Sequence, residues 1–91
     1  MEARKDIEIK NKTGLHARPA AMFVQVANKY ESEITILKDD QEVNGKSIMG
    51  ILMLAAEKGT KITIIAEGDD APAAVEELSN ILLNDGENEP F

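Results

Sequence analysis

The strongest strand signal in the chain is Lys61-Ile62-Thr63-Ile64-Ile65-Ala66, a stretch rich in β-branched residues. Such residues fit a pleated, half-buried surface, so the stretch predicts a strand. Polar and apolar residues alternate with a period of two at Lys5–Lys10 and Glu33–Lys38, which indicates two more strands. The residues predicted to face the core from these two strands are Ile7, Ile9, Ile34 and Ile36. The turn residues Asp39-Asp40 lead into a short return strand, Gln41–Asn44.

Three helices are predicted around these strands. The first runs from about Ala17 to Lys29 and has a proline in its first turn, where a missing N–H costs little. The second follows Ser47, a good N-cap residue, and runs from Ile48 to about Leu54. The third starts in Gly68-Asp69-Asp70-Ala71-Pro72, with an aspartate cap, and ends at Asn84-Asp85-Gly86.

The first and third helices each have apolar residues at helical spacing, which predicts one buried face on each. In the first helix these residues are Ala20, Phe23, Val24 and Ala27. In the third they are Ala74, Val75, Leu78, Ile81 and Leu82. The second helix is unusually apolar for its length. One sheet face cannot bury all of its side chains, so we expect some of them to be exposed.

The predicted order is therefore strand, helix, strand, strand, helix, strand, helix. Helices placed between strands in this way are expected to share one face of an antiparallel sheet, which gives an α+β open-faced sandwich. The 91 residues allow one small domain, 1–91. Its last residues, about 85–91, are expected to form a flexible acidic tail.

The composition argues against several classes of function. The chain has no cysteine, so it has neither a disulfide nor a Cys-ligated metal site, and we predict no cofactor or metal. Asp and Glu outnumber Lys and Arg by 17 to 10, for a formal charge of −7, which argues against direct nucleic-acid binding. No apolar run approaches the roughly 18 residues of a membrane span, and no leader is visible. We therefore expect a soluble, cytoplasmic protein without a membrane partner.

The candidate for chemistry is His16, the only histidine in the chain. Imidazole is largely neutral at about pH 7 and then has a nitrogen lone pair that can attack phosphorus. A phosphate on His16 would lie near the unpaired N–H groups and positive dipole end of the first helix. Arg18 could bind that phosphate through its planar, charged guanidinium group. The simpler interpretation makes His16 a helix cap and Arg18 a solvated charge.

Two stretches resemble the same family. Gly14-Leu15-His16-Ala17-Arg18-Pro19-Ala20 is similar to the phosphorylation-site motif of HPr, the histidine phosphocarrier of the bacterial sugar phosphotransferase system. Val43-Asn44-Gly45-Lys46-Ser47-Ile48-Met49-Gly50 resembles the regulatory serine segment of that family. The motifs have the family's order and spacing, and the resemblance extends to about Asn84. It implies the HPr-like βαββαβα topology, in which three helices cover one face of a four-stranded antiparallel sheet.

The resemblance implies a phosphoryl carrier rather than a stand-alone enzyme. HPr-like proteins accept a phosphoryl group from phosphoenolpyruvate through enzyme I and pass it to sugar-specific IIA proteins. By motif position, His16 is the expected acceptor and Arg18 its phosphate-contacting partner. Three positions depart from the usual pattern, and the first is Thr13, where family members often have Ser or Asn. Gly45 is expected to loosen its loop, and Leu52 replaces a methionine that is common in relatives.

Ser47 has two interpretations, a plain N-cap or a site for the family's HPr kinase/phosphorylase. The resemblance favours phosphorylation, and the added charge could allow the protein to bind a catabolite-control transcription regulator. The exposed parts of Ile48, Met49 and Leu52 are expected to form a docking face with the surface around His16. A monomer is the expected state for a carrier that docks with many partners.

Three functions stay open. The first is a phosphocarrier that is repeatedly phosphorylated at His16. The second is an HPr-like regulatory co-effector that acts through Ser47 and takes little part in transport, although the presence of His16 counts against a purely regulatory protein. The third is a small α+β ligand-binding domain without phosphoryl chemistry. It would make both motifs coincidences, so we rank it last.

Overall fold

The computed structural model describes residues 1–10, 14, 17–54 and 56–84. The elements within them are β1 (Glu2–Glu8), α1 (Ala17–Ala27), β2 (Glu33–Lys38), β3 (Gln41–Asn44), α2 (Ile48–Met53), β4 (Lys61–Glu67) and α3 (Ala71–Asn84). This is the predicted order of strands and helices. In the part of the chain described, no helix is long and apolar enough to cross a membrane.

The strands form one antiparallel sheet in the order β1-β4-β2-β3. The β-branched run in β4 is paired on both sides, with Ile64 opposite Lys5 of β1 and Ile36 of β2. Successive side chains point to opposite faces of a sheet. One face carries the core isoleucines and is covered by the helices, and the other face is open. The predicted open-faced α+β sandwich is thus confirmed.

The core lies between the sheet and the three helices. Its largest fully buried side chains come from every layer: Phe23 of α1, Ile51 of α2, Leu78 and Leu82 of α3, and Ile36, Ile62 and Ile64 of the sheet. Two residues predicted for buried helix faces, Val24 and Ile81, are only half-buried and pack against the margin of this core. They lie at the edges of their apolar stripes, so solvent reaches one side of each.

The largest differences from the predicted bounds are in β1 and α1, whereas α2 and β4 each differ by one residue at their ends. β1 covers Glu2–Glu8 rather than Lys5–Lys10, because β4 continues to Glu67 and offers pairing partners from Glu2 onward. Ile9 lies beyond the strand but stays buried, and its amide donates to the Thr60 carbonyl at 2.8 Å. α1 ends at Ala27 rather than Lys29, since the Lys29 amide donates to the Val26 carbonyl, a three-residue bond that tightens the chain.

Asp70 does more than the predicted capping of α3. Its carbonyl accepts the Ala74 amide at 3.0 Å, which marks the start of the helix. Its carboxylate, however, accepts the amides of Glu31 at 2.9 Å and Ser32 at 3.0 Å, as well as the Ser32 hydroxyl. These donors stabilise the charged form and lower the pKa of Asp70, with the Ser32 hydroxyl contributing most.

Tyr30 makes a second link between the turn after α1 and helix α3. Its hydroxyl donates a short hydrogen bond to the Glu77 carboxylate, and this bond is the main reason why the pKa of Tyr30 is raised. The segment around Tyr30 is therefore anchored to α3 at two points. The predicted acidic tail, about 85–91, lies outside the described residues.

Candidate functional site

The motif around His16 is described on both sides of the histidine. Leu15 and His16 themselves lie outside the described residues, so an exposed phosphoacceptor at His16 stays a prediction. Gly14 precedes them, and Ala17, the residue after His16, is the first residue of α1. The two flanking positions establish where the motif enters the fold.

Gly14 is buried and has a positive φ of 72°. A Cβ built on it would lie 2.6 Å from the Ala56 carbonyl oxygen and 3.0 Å from the Glu57 Cα. Backbone therefore approaches backbone at a distance that only glycine permits, in a conformation that glycine adopts at little cost. Because Ala56 and Glu57 follow α2, Gly14 and the chain that leads to His16 lie against the segment after α2.

The start of α1 presents a cation and no carboxylate. Arg18 is exposed in the first turn, where no acidic residue occurs, and Pro19 and Ala20 are buried against the core. Pro19 lacks an N–H at a position where no intrahelical partner exists for one. The first turn therefore combines a fixed backbone with an exposed arginine. Contact between Arg18 and a phosphate stays a prediction.

Ser47 is the N-cap of α2, as predicted. Its backbone is extended, with φ −112° and ψ 116°, and its Oγ accepts the Gly50 amide at 3.1 Å. The hydroxyl acts as an acceptor in this bond, so its own hydrogen is not used there. The cap is a sufficient structural reason for a serine at this position, and phosphorylation of Ser47 stays a prediction.

The turn before Ser47 is held on two sides. The Lys46 Nζ donates to the Tyr30 carbonyl at 2.8 Å, and the Gly45 amide donates to the Ile34 carbonyl at 2.8 Å. A Cβ on Gly45 would lie 2.5 Å from the Ile34 Cγ2. The expectation that Gly45 loosens this loop is therefore wrong. The turn packs so closely on β2 that a side chain at position 45 would have to displace Ile34.

An exposed apolar patch covers the outer side of α2. Its members are Ile48, Met49, Leu52 and Met53, with exposed fractions of 39%, 64%, 36% and 67%. The buried residues Ile51 and Leu54 face the core instead. The patch confirms that part of α2 is exposed, and it brings together the three residues predicted for docking, Ile48, Met49 and Leu52.

Sequence reasoning missed two exposed methionines on the helices α1 and α2. Met53 belongs to the patch, and Met22, 41% exposed, lies on α1, which packs against α2. Met53 could have been found, because it follows Met49 by four residues and so lies on the same helix face. Met22 had no comparable signal, since it lies between the buried Ala20 and Phe23 in the sequence.

Side chains from the sheet fix the C-terminal end of α2. The Lys38 Nζ donates to the Leu54 carbonyl at 2.9 Å, and the Gln41 Nε2 donates to the Met53 carbonyl at 3.5 Å. The last carbonyls of a helix lack intrahelical partners, and a cation is favourable there. α2 is thus capped by Ser47 at its start and held by two sheet residues at its end.

Charge is unevenly distributed around these helices. The ranges 17–29 and 45–54 contain no Asp or Glu, although acidic residues are in excess in the whole chain. Their charged residues are Arg18, Lys29 and Lys46. The helix start and the apolar patch therefore suit a partner, or a transferred group, that carries negative charge. Among the described residues, no group of three or more His, Cys, Asp or Glu side chains could hold a metal ion.

Comparison with known proteins identifies relatives over most of the chain. The family model for the phosphorylation site of the PTS HPr component matches residues 3–84. The HPr-like protein Crh of Halalkalibacterium halodurans is 57% identical over 74 residues, which cover 81% of this chain and 88% of that protein.

Two crystal structures show the same architecture. The phosphocarrier protein HPr of Bacillus anthracis aligns with a TM-score of 0.84 and 48% identity, over 89% of this chain and 96% of that one. Crh of Bacillus subtilis, described as a dimer with a swapped domain, aligns with a TM-score of 0.72 and 49% identity, over 84% and 87% of the two chains.

Proposed function

The chain belongs to the HPr family, and from that premise we propose that it accepts a phosphoryl group from enzyme I on His16 and passes it to sugar-specific IIA proteins. In the first step a nitrogen of His16 forms a bond to phosphorus while the bond between phosphorus and enzyme I breaks. In the second step the acceptor group of the IIA protein forms a bond to phosphorus while the bond between His16 and phosphorus breaks. The protein needs no acid–base residue of its own, because its partners complete each transfer site. Stabilisation from the helix start is modest, about 0.3–2 kcal/mol, which is compatible with passing the group on.

The observation that carries this proposal is the close backbone contact between Gly14 and the segment after α2. The close approach of Gly14 to the Ala56 carbonyl holds the entry to His16 beside the end of α2, and the apolar patch lies on α2 itself. A partner that docks on the patch would therefore approach the start of α1 as well. The absence of carboxylates from 17–29 and 45–54 favours a phosphorylated partner there.

Regulation at Ser47 is part of the proposal. Ser47 stands at the boundary between the turn held by Lys46 and the apolar patch, so a phosphate there would add about −1.5 to −2 charges beside a docking surface. An HPr kinase/phosphorylase would be the modifying enzyme. The phosphorylated protein could then bind a transcription regulator that carries an arginine cluster.

A second candidate is a regulatory co-effector that acts through Ser47 and takes little part in transport. The observation that favours it is the 57% identity to a protein named Crh. Retention of His16 favours the carrier, because a purely regulatory protein would have no use for a phosphoacceptor. The two functions share the patch on α2 and differ in whether His16 is phosphorylated.

Incubation with phosphoenolpyruvate and enzyme I, followed by acid and base treatment, tests the proposal. A carrier gains one phosphoryl group that acid removes, as expected for phosphohistidine. A co-effector gains no such label but becomes phosphorylated by the kinase in an acid-stable, base-labile form. No label from either enzyme would leave the ligand-binding domain as the remaining function.

We propose a monomer as the working state, because a carrier must expose the patch to several partners in turn. The swapped dimer of Bacillus subtilis Crh is the alternative. Sedimentation at several protein concentrations distinguishes the two. A mass of one chain at all concentrations supports the proposal, and a stable mass of two chains contradicts it.

A further inference from the structure

We infer that the open face of the sheet is a second docking surface, which takes a lysine-rich polypeptide segment. The face consists of the residues that alternate with the core isoleucines on the four strands. Its carboxylates are Glu2, Asp6, Glu8, Glu33, Glu42 and Glu67, and its cations are Arg4 and Lys61. Six acids against two bases make it the opposite of the surface around α1 and α2.

The first observation is a row of like charges across three strands. Glu67 of β4 pairs with Glu2 of β1 on one side and with Glu33 of β2 on the other, and all three side chains are exposed. Directly opposite like charges destabilise a sheet. Arg4 offsets this only at the edge, with its Nε 3.4 Å from the Glu2 carboxylate. An unfavourable pairing of like charges such as this one is typical of a functional surface.

The second observation is the apolar centre of the face. Ile65 and Leu37 are half-buried diagonal neighbours on β4 and β2, because Ile65 pairs with Thr35 and Leu37 pairs with Thr63. No helix covers them, since the helices lie on the other side of the sheet. Beside them, at the β2–β3 end, is an open groove of about 400 Å³. Its lining combines Glu33, Thr35, Glu42 and Asn44 of the open face with Ile34, Val43 and one cation, Lys46, whose Nζ donates to the Tyr30 carbonyl.

An apolar centre with a rim of carboxylates matches the chemistry of lysine side chains. A lysine can lay its four methylene groups along Ile65 and Leu37 while its ammonium group reaches a carboxylate at the rim. A polypeptide can place several such side chains at once. The surface is on the opposite side of the sheet from the apolar patch, so a partner there could bind without displacing enzyme I or a IIA protein.

The experiment titrates the isotope-labelled full chain with octalysine at low salt and follows amide shifts by NMR. We expect the largest shifts at Thr35, Leu37, Thr63 and Ile65. The double substitution Glu33→Gln and Glu67→Gln should weaken binding by about fivefold or more, as loss of complementary charge would. The matched control, Glu31→Gln and Glu76→Gln, removes the same charge from exposed positions off the sheet and should change binding by less than about twofold.

Two further measurements separate a docking surface from general attraction to an acidic protein. Ile65→Thr keeps a β-branched residue and the net charge, and should weaken octalysine binding; Leu37→Thr replaces it if that variant does not fold. Glu67→Gln alone should raise the Tm, because it relieves the row of carboxylates. Equal weakening by the two Glu→Gln pairs, shifts spread over the whole surface, or full affinity in Ile65→Thr would each overturn the inference.

Discussion

Gly14 lies so close to Ala56 that a Cβ on the glycine would be 2.6 Å from the Ala56 carbonyl oxygen. This contact joins the chain that leads to His16 to the segment that leaves α2. We therefore propose that the acceptor motif and the apolar patch are parts of one docking surface.

The contact between Gly14 and Ala56 can be tested with Gly14→Ala. This substitution adds the cost of a left-handed alanine, about 1–2 kcal/mol, and a clash with Ala56 that must move the loop. We expect phosphorylation of His16 by enzyme I to slow. The matched control is Gly59→Ala, which has φ 90° but no atom within 4 Å of the added Cβ. If enzyme I labels Gly14→Ala and Gly59→Ala equally fast, the contact between Gly14 and Ala56 does not position the His16 motif.

Docking on the patch predicts that Met49→Glu weakens binding to enzyme I or a IIA protein. Met49 is 64% exposed, so the substitution should cost little stability while placing a charge in an apolar contact. Ala73→Glu, at an exposed position on α3, makes the same kind of change away from the patch. Calorimetric titration should show weaker binding for Met49→Glu only. Unchanged affinity together with a large loss of stability would place Met49 in the core.

Regulation at Ser47 predicts that Ser47→Asp slows labelling of His16 without changing the fold. Aspartate and asparagine cap helices about equally well, so Ser47→Asn is the matched control that keeps the cap and lacks the charge. We expect slow labelling for Ser47→Asp, a near-normal rate for Ser47→Asn, and local amide shifts in both. Equal labelling rates in the two variants would mean that Ser47 acts only as a helix N-cap. Shifts across the sheet would indicate a conformational effect.

The hydrogen bonds of Asp70 predict a pH dependence of stability. Because the folded-state pKa of Asp70 is lowered, its contribution is complete above the ordinary value of about 3.8 and is lost as the pH falls through the folded-state value. Asp70→Asn should therefore be less stable than the wild type at pH 6, and the difference should shrink towards pH 2. Asp69→Asn, at the exposed neighbouring position, serves as control. A difference that is constant with pH would exclude this linkage.

Much of this molecule follows from local patterns in the sequence. Alternation predicted β2 and a turn signal predicted β3, both with their observed bounds, and a capping residue predicted where α2 begins. The high apolar content of α2 also indicated that it has more apolar side chains than the sheet can cover. These signals suffice because strand faces, caps and helix stripes depend on residues a few positions apart.

Features that depend on distant partners were not predictable in this way. Gly45 was predicted to loosen its turn but packs closely on Ile34, and Asp70 was predicted as a cap but also accepts the amides of Glu31 and Ser32. Both depend on packing between segments far apart in the chain. The acceptor role of His16 came from resemblance, because one histidine beside a helix start is also compatible with a cap.

The central claim is that His16 carries the phosphoryl group, and locating the label tests it most directly. The wild type, His16→Ala and Ser47→Ala should be incubated with phosphoenolpyruvate and enzyme I, and the phosphorylated residue identified by tandem mass spectrometry under non-acidic conditions. We predict one acid-labile phosphoryl group on His16 in the wild type and in Ser47→Ala, and none in a folded His16→Ala protein with a near-normal Tm. Full labelling of His16→Ala, or a label on any other residue of the wild type, would contradict the account.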